Sequence, residues 1–314
     1  MLGESSPTSR PGVTGKEETT MVSVEVVVVA FNCPTEMLDA CVSSALAEQT
    51  DSVSVSVCIV DNASSAPVRH CDGNGRIMRN EQNLGFGRAV NQAVRTSTKD
   101  YVLMLNPDAT LAQGALARAL SAHDDTTISV LMLMKGDEVQ LDAYTPWFFS
   151  LERQVRRRTL AGKLSKPNTE PVEVRKACGG ALLASVGLLQ QFGPFDERYF
   201  LYGEDFDFSL RFRGSGKRIF LQRGSIVHHT AAYSAKSHGE LVERARADAA
   251  VRLGSYHLPR ILSLAQRVEL FIVTIFGVLV GGRASKRSIR LCRLKELRRW
   301  GLARDCPAFD PRHL

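Results

Sequence analysis

The order of apolar and polar positions along the chain predicts alternating strands and helices from residue 22 onwards. Residues 22–31 form an almost continuous β-branched run, which is typical of a strand covered on both faces in a parallel sheet. The run stops at Asn32-Cys33-Pro34, after which Thr35 can cap a helix with a repeating apolar face. A second strand, predicted over 53–60, ends in a polar turn.

The same alternation then repeats twice. A short strand over 76–79 leads through residues 83–87 into a helix, and a strand over 101–105 leads through residues 106–108 into a helix over 112–122. This spacing predicts a doubly wound α/β sheet that is mostly parallel. In such sheets ligands bind beyond the carboxyl ends of the strands, so the polar residues at those ends are expected to form one crevice. These residues are Asn32, Asp61, Asn83 and Asp108.

Three further regions depart from this alternation. Residues 1–20 are polar and lack an apolar core, which predicts a disordered lead and no secretory signal. Residues 136–176 contain three prolines and many basic side chains, which predicts a loop or lid. Beyond them we expect a helix over 204–213, a strand over 218–222 and a shorter strand up to His229.

The C-terminal part, residues 256–314, has a different pattern and is predicted to be separate from the α/β domain over 21–255. Pro259 opens a helix with one broad apolar face, and nine Lys or Arg against a single acid follow between residues 283 and 304. The longest apolar stretch, 270–282, is shorter than the ~20 residues of a membrane-spanning helix. We therefore predict a helix that lies on an anionic membrane surface, with a core-packing helix and a solvated basic tail as the alternative. A nucleic-acid partner is not expected, because no recognition motif accompanies the charge.

The composition and the cysteine pattern predict where the protein is located in the cell. The 314 residues are 44% hydrophobic and 23% charged with a net charge of +7, which is ordinary for a globular protein. Seven cysteines without a C-x-x-C pair, several of them in apolar runs, predict buried, reduced thiols rather than disulfides or a zinc site. The expected location is cytoplasmic.

Two acidic motifs carry the candidate chemistry. Asp108 follows a buried strand and a rigid proline, which suits Mg²⁺ binding alongside phosphate oxygens, although Asn-Pro-Asp is also a common turn. Glu204 and Asp205 begin a helix among aromatic residues, which favours a general base beside a sugar platform, although acids also stabilise a first helical turn. His228 and His229 are either metal ligands or structural and surface residues.

The order of these motifs resembles glycosyltransferase family 2, and within it the bacterial rhamnosyltransferase branch. The resemblance covers about residues 22–233 and is most specific over 193–205. It implies an inverting enzyme with the GT-A fold, a Rossmann-like doubly wound α/β sheet, followed here by a C-terminal basic amphipathic helical segment.

The resemblance also implies roles for individual residues. Asp205 is expected to be the catalytic base, with Glu204 helping to position the acceptor. Asp108 would bind Mg²⁺ or Mn²⁺, and His228 would complete the metal shell. The residues expected to bind the donor are Asn32, Asp61, Asn83, Gly85, Asn91, Asn106, Asp108 and Gly180.

The expected reaction is transfer of rhamnose from dTDP-rhamnose to a lipid-linked or polysaccharide acceptor, such as a polyprenyl-diphosphate-linked glycan. The enzyme would sit on the inner face of the plasma membrane during cell-wall or surface-glycan synthesis. A UDP-sugar donor, as in a galactofuranosyltransferase, remains open. Two other classes also remain open, a sugar-1-phosphate nucleotidyltransferase and a non-catalytic sugar-nucleotide-binding protein, although the absence of a Gly-rich loop after the first strand disfavours the former.

Overall fold

A computed structural model of the chain describes residues 21–68, 75–230, 239–280, 284–303, 305, 308, 309 and 311. The polar lead over 1–20 lies outside the described residues. Ten strands in the described part form one sheet: β1 Val22–Ala30, β2 Val53–Asp61, β3 Arg76–Arg79, β4 Tyr101–Leu105, β5 Ala109–Leu111, β6 Ile128–Lys135, β7 Glu138–Val139, β8 Val172–Val174, β9 Ala181–Ser185 and β10 Ile219–His229.

The sheet is mixed. Its order is β3-β2-β1-β4-β9-β6-β10-β5, with β7 paired to β6 and β8 to β10. Strands β3, β2, β1 and β4 are mutually parallel, whereas β9 runs antiparallel to both β4 and β6. The sheet is still mostly parallel, as expected, because β6 and β10 are parallel to each other and run in the same direction as β4 on the far side of β9. Strands β5, β7, β8 and β9 run in the opposite direction.

Nine α-helices are described: α1 Thr35–Leu46, α2 Phe86–Thr96, α3 Ala115–Ser121, α4 Ser150–Leu164, α5 Val186–Phe192, α6 Glu204–Gly214, α7 Gly239–His257, α8 Arg260–Val280 and α9 Ala284–Trp300. Helix α1 begins at Thr35 itself, with Pro34 as its N-cap, so the expected Thr35 cap is wrong by one residue. The strand and helix order predicted as far as residue 111 is otherwise observed. Within it, β5 is the one strand that the apolar pattern did not predict.

The region 136–176 is not simply a loop. Its centre is α4, a helix of 15 residues held to the preceding segment by ion pairs from Arg153 and Arg157 to Asp142. Leu160 is its one buried side chain, so its apolar periodicity is too sparse to predict a helix. The two short strands expected near residues 218–229 are one strand, β10, with a register shift between Gln222 and Ile226.

The C-terminal helices pack against the catalytic part rather than standing apart from it. Trp300 of α9 is 1% exposed, and its indole nitrogen donates to Asp248 of α7 over 2.9 Å. His257, the last residue of α7, bonds Asp207 of α6 over 2.7 Å. The expected boundary between residues 255 and 256 thus falls inside α7.

Candidate active site

One pocket of about 210 Å³ opens where β1 and β4 end, beside the start of α6. It brings together most of the residues predicted from the sequence: Asn83, Gly85, Asn106, Asp108, Gly180, Glu204 and Asp205. Donor-side and acid-side motifs that are about 100 residues apart in the chain therefore face one space, as expected for the carboxyl edge of such a sheet.

Asp61 does not line this pocket. Its side chain is 0% exposed, forms an ion pair with Arg79, and accepts hydrogen bonds from the backbone of Ser64 and Val68 over 2.9 and 3.0 Å. Burial raises the pKa of Asp61, but these hydrogen bonds outweigh it and hold the pKa below its usual value. In this structure Asp61 organises the loop after β2 and lies outside the pocket lining.

Asn91 and Asn32 also lie outside the lining. The amide of Asn91 is buried and bonds the backbone of Phe195 through both its oxygen and its nitrogen, at 3.2 and 2.9 Å. The oxygen of Asn32 accepts from the backbone and the hydroxyl of Ser65, at 2.8 and 2.9 Å. Both asparagines shape loops next to the pocket.

Asn62 is a pocket residue that the sequence analysis missed. Its side-chain nitrogen donates to Asn83 and to the carbonyl of Gly85, at 2.8 and 3.2 Å, while its oxygen accepts from Asn80 and from the backbone of Leu84, at 3.0 and 3.1 Å. Its position directly after Asp61 at the end of β2 was the available signal. Asn62 fixes the loop that carries Asn83 and Gly85.

A second cluster joins β4 to β10. Oδ1 of Asp108 lies 3.0 Å from Nε2 of His229, and the side-chain amide of Asn106 lies 3.1 Å from the same nitrogen. Burial raises the pKa of Asp108, but the hydrogen bond and charge of His229 outweigh it and hold the pKa below its usual value. His228 is exposed, so the residue that faces Asp108 at this distance is His229 and not the predicted His228.

The separations among these three side chains are compatible with a shared divalent cation. Neighbouring ligand atoms in an octahedral Mg²⁺ shell stand roughly 3 Å apart, which matches the separations at His229. In the structure, Nε2 of His229 meets both an amide donor and a carboxylate acceptor, and one ring nitrogen satisfies only one of them. A cation, with the Asn106 amide turned to present its oxygen, would satisfy all three. Among the described residues no group of three His, Cys, Asp or Glu surrounds one point, so a donor phosphate would have to complete the shell.

Gly180 faces Asn106. A Cβ at Gly180 would come within 2.7 Å of the Asn106 side-chain nitrogen, and the Gly180 carbonyl accepts from the Asn106 backbone over 3.2 Å. The glycine therefore leaves space for the Asn106 amide at the edge of the pocket.

The two acids at the start of α6 differ in environment. Glu204 is 5% exposed, its Oε2 has no hydrogen-bond partner among the described residues, and burial followed by the charge of Asp205 raises its pKa to about 8. Asp205 lies 3.3 Å from the ammonium group of Lys176, a residue that the sequence analysis did not single out. At neutral pH Glu204 thus holds a proton, while Asp205 is paired with a cation.

The remaining walls are apolar. Phe200 and Tyr202 line the pocket, and Leu241 and Val242 of α7 close it from the C-terminal side. Three other aromatic residues near Glu204, expected as part of a sugar platform, are instead buried in the core: Tyr199, Phe206 and Phe208. The sequence analysis did not predict that α7 forms part of the pocket wall.

Comparison with known proteins assigns the N-terminal half of the chain to a family. Residues 25–180 match the family model of Glycosyl transferase family 2. The chain carries a glycosyltransferase family 2 domain. The matched span includes the loop after β2, Asn83 and Asp108 and ends at Gly180, so Glu204 and Asp205 lie beyond it.

Two curated relatives of this glycosyltransferase are similar over much of its length. N-acetylglucosaminyl-diphospho-decaprenol L-rhamnosyltransferase of Mycobacterium tuberculosis is 26% identical over 254 residues, covering 68% of this chain and 75% of the relative. A low-salt glycan biosynthesis hexosyltransferase of Haloferax volcanii is 25% identical over 164 residues, covering 49% of this chain and 52% of the relative.

Solved structures share the fold. GalNAc-T7 with UDP, GalNAc and Mn²⁺ aligns with a TM-score of 0.57 at 16% identity over 88% of this chain, which spans 55% of the GalNAc-T7 chain. A mannosyltransferase of Pyrobaculum calidifontis in complex with GDP-Man and Mn²⁺ aligns with a TM-score of 0.54 at 15% identity, over 91% of this chain and 88% of the mannosyltransferase. The glycosyltransferase thus has the GT-A fold.

Proposed function

We propose that this glycosyltransferase transfers a sugar, with inversion, to a lipid-linked or polysaccharide acceptor in cell-wall or surface-glycan synthesis, and that the sugar is rhamnose from dTDP-rhamnose. The observation that carries the proposal is one pocket that holds Asp108 and Asn83 on one side and Asp205 on the other. The choice of rhamnose and of a lipid-linked acceptor is supported by the name of the mycobacterial relative.

In the proposed reaction Asp205 acts as general base. The acceptor hydroxyl oxygen attacks the anomeric carbon and its proton passes to Asp205. The bond from that carbon to the diphosphate oxygen breaks, and the electron pair leaves on the diphosphate. Holding both substrates in one pocket supplies the proximity contribution to the rate. A single displacement of this kind inverts the anomeric configuration.

The proposal includes a metal at the donor end of the pocket. Asp108, His229 and the turned amide of Asn106 would bind Mg²⁺ or Mn²⁺, which when bound stabilises charge on a leaving diphosphate as a Lewis acid. Asn83, which Asn62 holds in place, and the backbone around Gly85 would contact the donor. The Mn²⁺ in both structural neighbours supports this choice of cofactor.

The proposal places the enzyme on the cytoplasmic face of the membrane. Helix α8 has 21 residues and contains an 18-residue window with a mean hydropathy of 1.8, which by length and composition alone is enough to cross a membrane. The sequence analysis counted only the apolar stretch of 13 residues and so underestimated the length of the helix. The helix also includes Gln266, Arg267 and Glu269, which precede that stretch. Its buried residues are polar, namely Ser263, Gln266 and Thr274, whereas most of its exposed side chains are large and apolar. That inverted arrangement favours an apolar environment outside the protein.

A donor panel tests the function. The full chain is incubated with dTDP-rhamnose, UDP-galactofuranose, UDP-glucose and GDP-mannose, with and without Mn²⁺, and its melting temperature and nucleoside diphosphate release are measured. We expect Mn²⁺-dependent stabilisation to be largest with dTDP-rhamnose, and release to require a polyprenyl-diphospho-N-acetylglucosamine acceptor. Stabilisation by no nucleotide sugar would overturn the proposal, and a preference for a UDP-sugar would replace the donor.

A further inference from the structure

Lys176 lies between β8 and β9 and reaches the start of α6. Its Nζ is 3.3 Å from Oδ2 of Asp205, and the two side chains are 18% and 14% exposed. Burial lowers the pKa of Lys176, but the neighbouring Asp205 carboxylate outweighs it and the net shift is upward. Lys176 is therefore an ammonium ion at neutral pH, held inside the wall of the pocket.

The carboxyl groups next to this ion pair lie at the start of α6, where Asp207 is itself paired with Arg211 and bonded to His257. Glu204 adjoins Asp205 in the chain, and Asp207 adds a further negative charge that acts on Glu204. Burial raises the pKa of the Cys178 thiol to about 11, so this neighbour of Lys176 is uncharged. The positive charge of Lys176 lowers the affinity of this acidic cluster for protons.

The pair also distinguishes the two oxygens of Asp205. Lys176 occupies Oδ2, and within the described part of the chain no hydrogen bond is made to Oδ1. A carboxylate fixed through one oxygen is restricted in its rotation, so the other oxygen keeps one direction relative to the pocket.

We propose that Lys176 is a positioning residue for the proposed base, holding Asp205 by Oδ2 so that Oδ1 takes the proton of the acceptor hydroxyl. This inference rests on the proposed function, because it assigns Lys176 a part in the same proton transfer. The ammonium keeps the carboxyl group ready to accept a proton beside Glu204, and the salt bridge fixes its direction. Lys176 is not among the residues that line the pocket, so we expect donor affinity to be independent of it.

Kinetics of full-chain variants with dTDP-rhamnose and a soluble acceptor analogue test the proposal. Lys176→Met should lower kcat by on the order of tenfold to a hundredfold while KM for the donor stays within about twofold. The acid limb of its pH–rate profile should move to higher pH, because the acidic cluster loses its neighbouring cation. Lys176→Arg should restore the position of the acid limb and most of kcat. If Lys176 only filled space, Met would serve as well as Arg. Lys166→Met, at an exposed lysine outside the pocket, is the matched control.

Several outcomes would overturn the assignment. A folded Lys176→Met enzyme with a wild-type kcat and acid limb excludes it, and so does a Lys176→Arg enzyme whose limb shifts as far as that of Lys176→Met. If Lys176→Met does not fold, Lys176→Gln takes its place, because it keeps the polarity and removes the charge. A wild-type chain that transfers no sugar would refute the proposed function, whereas a wild-type chain that turns over beside indifferent Lys176 variants would refute this inference alone.

Discussion

Oδ1 of Asp108 and Nε2 of His229 lie 3.0 Å apart, across the pairing of β5 with β10. His229 pairs with Ala109 and His228 with Thr110, so the two histidines alternate along the strand. Successive side chains of a strand point to opposite faces, and this alternation turns only one of the two rings toward Asp108. Gln140 bonds the other ring nitrogen of His229 at 3.1 Å and fixes its orientation.

The two histidines should therefore differ in metal dependence. His229→Ala is expected to weaken the stabilisation that Mn²⁺ adds to donor binding by about tenfold in apparent affinity, because a ligand is lost. His228→Ala should leave it nearly unchanged. Thermal shift titrations of Mn²⁺ at fixed nucleoside diphosphate measure both. Equal losses of apparent Mn²⁺ affinity in the two variants would contradict the assignment of His229 as the metal ligand.

The sequence analysis predicted His228 rather than His229, and the reason lies in the alternation of side chains along β10. The pair His228-His229 was visible, but the face of each ring depends on the register of β10 against β5 and β6. A bulge between Gln222 and Ile226 shifts that register by inserting residues into β10. No local pattern predicted the bulge, so the choice between the two histidines could not be made from the sequence.

Asp205 should be indispensable for turnover but not for donor binding. Asp205→Asn is expected to lower kcat by on the order of 10²–10⁴-fold, because an amide cannot accept the acceptor proton. The donor-induced rise in melting temperature should persist. Asp39→Asn makes the same chemical change at an exposed site on α1 and is the control. Near-wild-type turnover in a folded Asp205→Asn enzyme would show that another group is the base.

Glu204 should make stability fall as pH rises. Its pKa of about 8 in the folded protein exceeds the value of about 4.3 expected in the unfolded chain, so between these values the folded state binds the extra proton. The stability contributed by the protonated group is complete below the lower value and is lost as pH rises through the higher one. Glu204→Gln, which stays neutral, should gain stability over wild type as pH increases from about 5 to 8, at up to ~1.4 kcal/mol per pH unit.

Urea unfolding at several pH values measures this difference. Glu36→Gln, at an exposed position in the first turn of α1, should track wild type throughout. A Glu204→Gln difference that does not change with pH would mean that Glu204 is ionised in the folded state at neutral pH.

Gly85 should tolerate no side chain. It has a φ of +84°, and a Cβ there would overlap the carbonyl oxygen of Phe200, which accepts a hydrogen bond from the backbone of Phe86 over 2.9 Å. Gly85→Ala is expected to cost about 1–3 kcal/mol of stability from backbone strain and to weaken donor binding. Gly187→Ala, inside α5 with open space at its Cβ, should instead stabilise by roughly 0.5–1 kcal/mol. Melting temperatures that shift alike would contradict the assigned role of Gly85.

In the C-terminal region the sequence shows that a helix has an apolar face but not what that face contacts. The apolar face of α8 was visible as periodicity, and periodicity alone predicts equally well a helix packed in a core and one on a membrane. Only the packing of α7 and α9 determines which face points inward, and it turns Ser263 and Thr274 toward the protein. The same packing makes Leu241 and Val242 part of the pocket, so α7 links the active site to α8.

The outward face of α8 should govern attachment to a bilayer. Ile272 and Phe276 are 60% and 63% exposed, and replacing both with Glu removes apolar side chains whose burial contributes roughly 1.5–3 kcal/mol each. Flotation of the full chain with phosphatidylglycerol-containing vesicles should fall by at least on the order of a hundredfold, while turnover of a soluble acceptor stays at the wild-type level. Met21→Glu, at an apolar residue with 57% exposure directly before β1, should float like wild type. Flotation of the α8 variant at the wild-type level would exclude this helix as the membrane contact.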